Sequence, residues 1–370
     1  MGNVNYHFSG EEDLDSPALV YYEDIIEENI KKVIAMAGSA DRLWPHVKTY
    51  KTAAVVKMLL ARGVKRFKCA TIAEAEMCAR CGAPDILVAY PLVGPAIGRF
   101  IKLQQRFTAS AFWAIGDDMG QLTLLGRAAA AAGLCVPFLI DVNSGMNRTG
   151  VAFERLADFC ADAGKIPGLA LKGLHCYDGH LSMKDSGERE KAVAEENAKL
   201  AAIRAAAEAK GQTLPVLIMG GTPSFPLHCR SKDVFLSPGT LFIQDHGYDA
   251  KYDDLPFTPG AAILTRVISR TKDDLFTLDL GYKGVSPDHE LRGIIADYSG
   301  ADSAAEPAGQ SEEHWVFRKS SGCPPVGTVL YVIPTHICPT SALYPGVHVV
   351  RNGKLVNYWE IDARNRKITI

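Results

Sequence analysis

From residue 18 to about 245, short apolar, β-rich runs alternate with longer helix-like stretches. The runs are 18–22 (ALVYY), 42–48 (RLWPHVK), 66–70 (RFKCA), 85–90 (DILVAY), 108–115 (TASAFWAI), 136–142 (VPFLIDV), 169–177 (LALKGLHCY), 214–221 (LPVLIMGG) and 234–239 (VFLSPG). Between them lie stretches such as EDIIEENIKKVIAMAG, TAAVVKMLLARG and KDSGEREKAVAEENAKLAAIRAAAEAKG. Strand and helix alternating this many times predict a parallel α/β sheet, and the count favours a closed (β/α)8 TIM-type barrel over an open sheet. In such a barrel, reactive side chains sit just after the strands.

Beyond about residue 250 the pattern changes to short β-rich runs separated by Gly, Pro and Asn-Gly turns (AAILTRVISR, DLFTLDLG, EHWVFRK, TVLYVIP, HVVRNGKLVNYWEI), which predicts an all-β second domain. The small, polar segment 297–311 reads as a surface loop. The predicted organisation is a barrel over 17–248 and a C-terminal β domain over 249–370 together with residues 1–16.

Composition narrows the class of partner. Forty basic against 42 acidic residues give a net charge of -2, so no positive excess is available for a phosphate backbone or an anionic bilayer. The expected partner is a small molecule, not nucleic acid or a membrane. The nine cysteines are scattered and are expected to be reduced thiols. Cys78 and Cys81 form a C-x-x-C inside the helical pattern AEAEMCARCGA, with no second pair to complete a zinc site. The start MGNVNYHFSGEEDLDS has no basic region followed by an apolar run, and no stretch reaches the roughly 18 apolar residues of a membrane helix. A cytoplasmic location is expected. Met-Gly superficially matches a myristoylation signal, but Tyr6 stands where Ser or Thr is required.

The first strand end with chemistry is Trp44-Pro45-His46-Val47-Lys48-Thr49-Tyr50-Lys51. A lysine in a partly enclosed barrel mouth loses solvation, which lowers its pKa and makes the amine a nucleophile toward an aldehyde. On position alone, most lysines are solvated surface residues. The string PHVKTYK resembles the cofactor-lysine motif of the D-threonine aldolase and D-serine dehydratase families, which are alanine-racemase-like, fold-type III pyridoxal-phosphate enzymes. The resemblance implies pyridoxal 5'-phosphate held by Lys48 as a Schiff base, with Lys51 a nearby cation. It extends along the chain: Asp141 to Gly150 (DVNSGMNRTG) is similar to the D-x-G-x-x-R-x-G stretch of these barrels, making Arg148 the implied partner of the cofactor's phenolic oxygen.

Two glycine-bearing turns follow late strands, Gly220-Gly221-Thr222-Pro223-Ser224 and Ser237-Pro238-Gly239-Thr240. Late strand loops are where barrels commonly bind phosphate, so Gly221, Thr222, Ser237, Gly239 and Thr240 are the expected cradle. Alanine racemases carry an arginine against the pyridine nitrogen about where Ser237 falls, and its absence implies a different protonation state of the ring nitrogen. In His175-Cys176-Tyr177-Asp178-Gly179-His180, the resemblance implies Tyr177 packing on the cofactor ring and His180 as a candidate base. A purely structural alternative buries His175 in the barrel and has His180 capping the next helix.

In Pro334-Thr335-His336-Ile337-Cys338-Pro339-Thr340, two ligand-type side chains at i and i+2 on a strand end would project to one side and reach a single ion. By itself H-x-C is a common coincidence, but P-x-H-x-(C or D)-P-T is the metal motif of the resembled family. Imidazole with thiolate favours zinc, whereas manganese or magnesium would suit an aspartate ligand. The divalent metal is therefore expected on His336 and Cys338, with Ser311-Glu312-Glu313-His314 in support.

These parts imply a lyase acting on D-3-hydroxy amino acids. If a base such as His180 deprotonates a metal-held β-hydroxyl, the Cα–Cβ bond breaks to glycine and an aldehyde, a D-threonine aldolase reaction. If Lys48 instead removes the Cα proton and hydroxide departs, a 2-oxo acid and ammonia form, a D-serine dehydratase reaction. The motifs HVKTYK, YDGH and AYPLVGP lean toward the aldolase and Cys338 toward the dehydratase. A racemase would need a second acid/base, for which 281–289 offers Tyr282, and a non-catalytic cofactor-binding protein would not need the large β domain. The resemblance further implies a homodimer.

Overall fold

In the computed structural model, which describes residues 4–296 and 305–370, the chain divides into two units. One comprises 34–48, 53–239 and 365–370, and the other residues up to 33, 49–52 and 240–364. Strand β1 (Ala18–Tyr22), expected as the first barrel strand, lies in the second unit, where it pairs antiparallel with Ala261–Lys272 and parallel with Gly346–Arg351. All five of its residues are buried. A run covered on both faces reads the same in either kind of sheet, so periodicity alone does not say which sheet receives it.

The first unit holds a parallel sheet in the order β2 (Arg66–Cys69), β3 (Asp85–Val88), β4 (Ala111–Gly116), β5 (Val136–Asn143), β7 (Leu169–Cys176), β8 (Val216–Met219) and β9 (Phe235–Leu236), while β6 (Val151–Ala152) pairs at the end of β5. The run Leu43–His46 joins its two edges, with Leu43 bridging Leu236 and His46 bridging Lys68. Trp44 N–H donates to the Leu236 carbonyl at 2.8 Å, and Lys68 N–H to the Pro45 carbonyl at 2.8 Å. Pro45 has no N–H to give, which fits isolated bridges in place of a regular strand. With this run the ring has the eight members that the alternation predicts.

Side chains of Trp44, Leu87, Ile115, Leu139 and Ile218 pack together as one core cluster of this unit. Gly173 is required where β7 meets β8, because a Cβ there would stand 1.7 Å from the Val216 carbonyl oxygen. Helices between strands start on side-chain caps: Thr71 accepts from Glu74 N–H at 3.1 Å, Asp118 from Gln121 at 2.8 Å and Asp185 from Glu188 at 2.8 Å. Cys78 lies in the helix Ile72–Arg80 and Cys81 caps its end, and all nine cysteines are unbridged.

The second unit is built on β10 (Ala261–Lys272), β11 (Leu275–Leu278), β12 (Gly293–Ile295), β13 (Glu306–Gln310), β14 (Trp315–Arg318), β15 (Val329–Pro334), β16 (Gly346–Arg351) and β17 (Lys354–Glu360), with main order β13-β14-β11-β10-β1-β16-β17 and β15 pairing both β10 and β12. Residues 306–310, expected as loop, form β13 through antiparallel pairing with β14; positions 297–304 of that expected loop, like Met1 and Gly2, lie outside the described residues. Tyr6, Phe8, Val20, Tyr22, Leu264, Tyr331 and Ile333 form its core. Among the described residues no helix is long and apolar enough to cross a membrane.

Candidate active site

In the barrel unit, Lys48 lies in a single 3-10 turn, Val47–Thr49, immediately after the bridging run, and is half-buried. Tyr177 directly follows β7, and Arg148 sits in the loop after β5. The three come together: Lys48 Nζ lies 5.7 Å from the centre of the Tyr177 ring and the Arg148 guanidinium carbon 5.1 Å from it. Glycines make room for that ring. A Cβ on Gly221 would lie 2.9 Å from Tyr177 Cε2, and one on Gly179 would lie 2.3 Å from its hydroxyl.

The loop carrying Arg148 is folded by its own polar side chains. Asn143 Oδ1 accepts from the N–H groups of Gly145 at 3.2 Å and Asn147 at 3.0 Å, an Asx-type turn. Thr149 donates to Asp141 Oδ2 at 2.7 Å, and Gly150 N–H to Asp117 Oδ2 at 2.6 Å. Gly150 has φ +104 and its Cα hydrogen faces the β5 backbone, so glycine is needed for both conformation and clearance.

Beneath Tyr177 lies a group that the motifs do not single out. Lys68 of β2 is 2% exposed, and its Nζ lies 5.9 Å from the ring centre and 3.4 Å from His175 Nε2. His175 Nδ1 is 2.7 Å from Asp141 Oδ1. Burial, then the charge of Lys48, pull the Lys68 amine down from 10.5 to about 7 against the attraction of Asp141 and Asp178. Burial works against the Asp141 carboxylate, yet its bonds from His175 and Thr149 and the charge of Lys68 hold it below the usual range. Burial and the Lys68 charge lower His175 despite Asp141. Asp141 is thus a carboxylate and His175 a neutral ring whose Nδ1–H faces it, which leaves Nε2 as acceptor for Lys68. The signal in the sequence was a lysine between the apolar Phe67 and Cys69 in the run RFKCA.

The residues expected to cradle a phosphate lie in both units. The turns after β8 and β9 leave neighbouring strands, with Ser237 N–H on the Met219 carbonyl at 3.3 Å, and Thr222 is buried. The Gly221 N–H, however, donates to Asp178 Oδ1 at 2.9 Å, and the Ser237 hydroxyl to the Trp44 carbonyl at 3.1 Å. Asp178 also accepts from Ser224 at 2.7 Å and bonds His228 Nε2 at 2.8 Å, so a buried carboxylate claims the glycine's donor and pins this turn. Thr240 lies in the second unit, with its hydroxyl 3.4 Å from Cys338 Sγ. His180 follows Tyr177 by three residues; its ring packs on Gly145, and its Nδ1 is buried with no hydrogen-bond partner among the described residues.

In the second unit, His336 does not end a strand. It is the extended N-cap residue of the short helix Ile337–Ser341, and Cys338 lies within that helix. Cys338 Sγ has the Thr49 hydroxyl at 3.1 Å. Burial raises the Cys338 thiol, but the bond to His336 and its charge outweigh this and leave it lowered; burial lowers His336, but Cys338 and Asp288 carry it up to about 9. His336 Nδ1 meets Asp288 Oδ2 at 2.5 Å, and the His289 ring stands edge-on at 5.5 Å. Ligand atoms of Asp288, His289 and His336 lie within 4.8 Å of one another. A low thiol and an imidazole with a carboxylate behind it fit a divalent ion. The loop bearing Asp288 is tied to the short helix through Ser286 N–H on Thr340 Oγ1 at 3.1 Å, and Ser286 donates to Asp288 Oδ1 at 2.6 Å. The sequence marked this loop only for Tyr282. Glu312 and Glu313, expected near the metal motif, pair with Lys283 at 2.6 and 3.1 Å.

Both the barrel unit and the β unit have counterparts among known proteins. Residues 23–243 match the family described as alanine racemase, N-terminal domain, and 260–350 match a serine dehydratase domain. D-threonine aldolase of an Arthrobacter species is 29% identical over 95% of this chain and 93% of its own length, and 3-hydroxy-D-aspartate aldolase of Paracoccus denitrificans is 29% identical over 96% and 94%. The crystal structure of D-threonine aldolase from Filomicrobium marinum superposes with a TM-score of 0.89 at 26% identity, covering 99% of this chain and all of that one. The chain belongs to the alanine racemase N-terminal domain family, in the branch that joins this barrel to a serine-dehydratase-type β domain.

Proposed function

We propose that the protein is a pyridoxal-phosphate- and metal-dependent lyase that cleaves D-3-hydroxy amino acids between Cα and Cβ, releasing glycine and an aldehyde. The observation carrying this reading is the convergence of Lys48, Arg148 and Tyr177 at strand ends of one barrel, a cationic site around an aromatic face. Its positive charge suits a cofactor bearing a phosphate and a phenolic oxygen. When bound, pyridoxal 5'-phosphate supplies a conjugated ring that stabilises negative charge at the substrate's Cα.

Lys48 is the amine that would hold the cofactor's aldehyde carbon, Arg148 would bind the phenolic oxygen, and Tyr177 would cover the ring. The turns bearing Gly221, Thr222, Ser237 and Gly239 would hold the phosphate, with Asp178 keeping the first of them in shape. His180, with a buried ring nitrogen that lacks a partner among the described residues, takes the proton of the β-hydroxyl. In the β domain His336 and Cys338 hold a divalent ion, which thiolate and imidazole make zinc in preference to manganese or magnesium, and Asp288 orients the imidazole. The substrate is a small D-amino acid, the family resemblance adds a homodimer, and the proposed location is the cytoplasm.

Cys338 and the serine dehydratase match over 260–350 favour a second reading, in which Lys48 removes the Cα proton, hydroxide leaves Cβ, and the products are a 2-oxo acid and ammonia. Incubation of the metal-loaded holoenzyme with D-threonine, D-serine and D-3-hydroxyaspartate separates the two by product. Glycine with an aldehyde is expected; 2-oxo acid with ammonia selects the second reading. Turnover of the L forms alone would overturn the stereochemistry.

A further inference from the structure

Lys48 and Arg148 have roles in the proposed reaction, but Lys68 has none, although it is the most deeply buried of the three cations around Tyr177. Burying an ammonium is costly unless an anion meets it. The hydrogen-bond partner of Lys68 Nζ is the neutral His175 ring, at a long 3.4 Å. The carboxylate of the network, Asp141, is committed to His175 at 2.7 Å and to Thr149 at 2.7 Å. The Asp141–His175 pair fixes the tautomer that points an acceptor at Lys68, which aims the amine without neutralising it. Among the described residues Lys68 Nζ has no other hydrogen bond, so its remaining N–H groups are available beside the aromatic face that Lys48 also approaches.

We propose that Lys68 is a second ligand-binding amine of this barrel, aimed by Asp141 and His175 to bind an anionic oxygen of the molecule held at Lys48. The proposal rests on the reading of Lys48 as the cofactor amine and extends it. Two oxygens have the required chemistry, the phenolic oxygen of the cofactor and the carboxylate of the amino-acid substrate. The groups facing Lys68 are Lys48 and Arg148, which oppose its charge, and Asp141 and Asp178, which favour it. Its amine sits near neutrality in the empty protein, so an arriving anion finds it readily protonated, and affinity should decline as pH rises above 7.

The test compares Lys68→Met, Lys68→Gln and Lys68→Arg with the unaltered protein. Pyridoxal 5'-phosphate uptake by the cofactor-free protein is titrated across pH, and KM and kcat for D-threonine are measured on the loaded enzyme. Loss of a hydrogen bond to a charged group predicts roughly tenfold to hundredfold weaker binding in Lys68→Met and Lys68→Gln. Weaker cofactor uptake with KM unchanged assigns the phenolic oxygen, and a raised KM with uptake and kcat unchanged assigns the substrate carboxylate. Lys68→Arg should restore the affinity and abolish its decline above neutral pH, a result a merely space-filling lysine would not produce. Uptake and KM both unchanged in Lys68→Gln, with its thermal melt matching the parent, overturn the proposal. If the unaltered protein takes up no cofactor, it is the reading of Lys48 that fails instead.

Discussion

Asp141 and His175 are register partners on the adjacent parallel strands β5 and β7, and their side chains meet at 2.7 Å between Oδ1 and Nδ1. Parallel neighbours in register present side chains to the same side, so the pair is a product of strand order. Because both groups are buried, removing Asp141 leaves the His175 Nδ1–H without its acceptor. Asp141→Ala is expected to lower unfolding stability by about 1–3 kcal/mol, read from urea denaturation of the cofactor-free protein.

The Lys68 amine is lowered to about 7 in the folded chain, whereas the unfolded chain holds that proton up to 10.5. Between these values the unfolded state binds more protons, so the lysine's cost is fully present below pH 7 and relieved as pH rises. Glu196, which burial and the charge of Asp178 raise to about 7, acts only below that window, where stability falls as its proton is lost. Urea midpoints of the cofactor-free protein should therefore gain from Lys68 between pH 7.5 and 9.5, an interval chosen inside the window, and Lys68→Met should remove that component of the slope.

Gly150→Ala tests the loop that carries Arg148. Its φ of +104 is unfavourable for a side chain, and a Cβ would stand 2.3 Å from Asn143 N. A loss of about 2–4 kcal/mol is expected, with weaker retention of cofactor on gel filtration. A melt identical to the parent would contradict the loop geometry.

Asp288→Asn should weaken metal binding by about 10–100-fold, since a carboxylate behind a ligating imidazole orients it and strengthens its donation. Competition with a chromophoric chelator measures this. His336→Ala and Cys338→Ala should lose more, and Glu312→Gln, whose partner is Lys283, should change nothing.

Lys48→Ala should abolish the visible absorbance of protein-bound pyridoxal phosphate, and Lys51→Ala should keep it. Lys51 has φ +49, and its carbonyl accepts from Ala363 N–H at 3.1 Å, so its backbone serves the second unit. The reverse outcome would move the anchor to Lys51.

The sequence by itself determined the barrel, the change to an all-β region and the strand ends on which Lys48, Arg148 and Tyr177 sit, because these depend on local periodicity and on short motifs. Tertiary structure decided what depends on neighbours far along the chain. It sent β1 to the mixed sheet of the second unit, since a fully buried run has no polar face to select its partner. It gave the Gly221 N–H to Asp178 and the Thr240 hydroxyl to Cys338, contacts spanning 43 and 98 residues. It also brought Lys68, His175 and Asp141 from three strands into one buried chain. A lysine flanked by Phe67 and Cys69 on a strand shows only that a charge is buried; the register of the barrel determines what that charge faces.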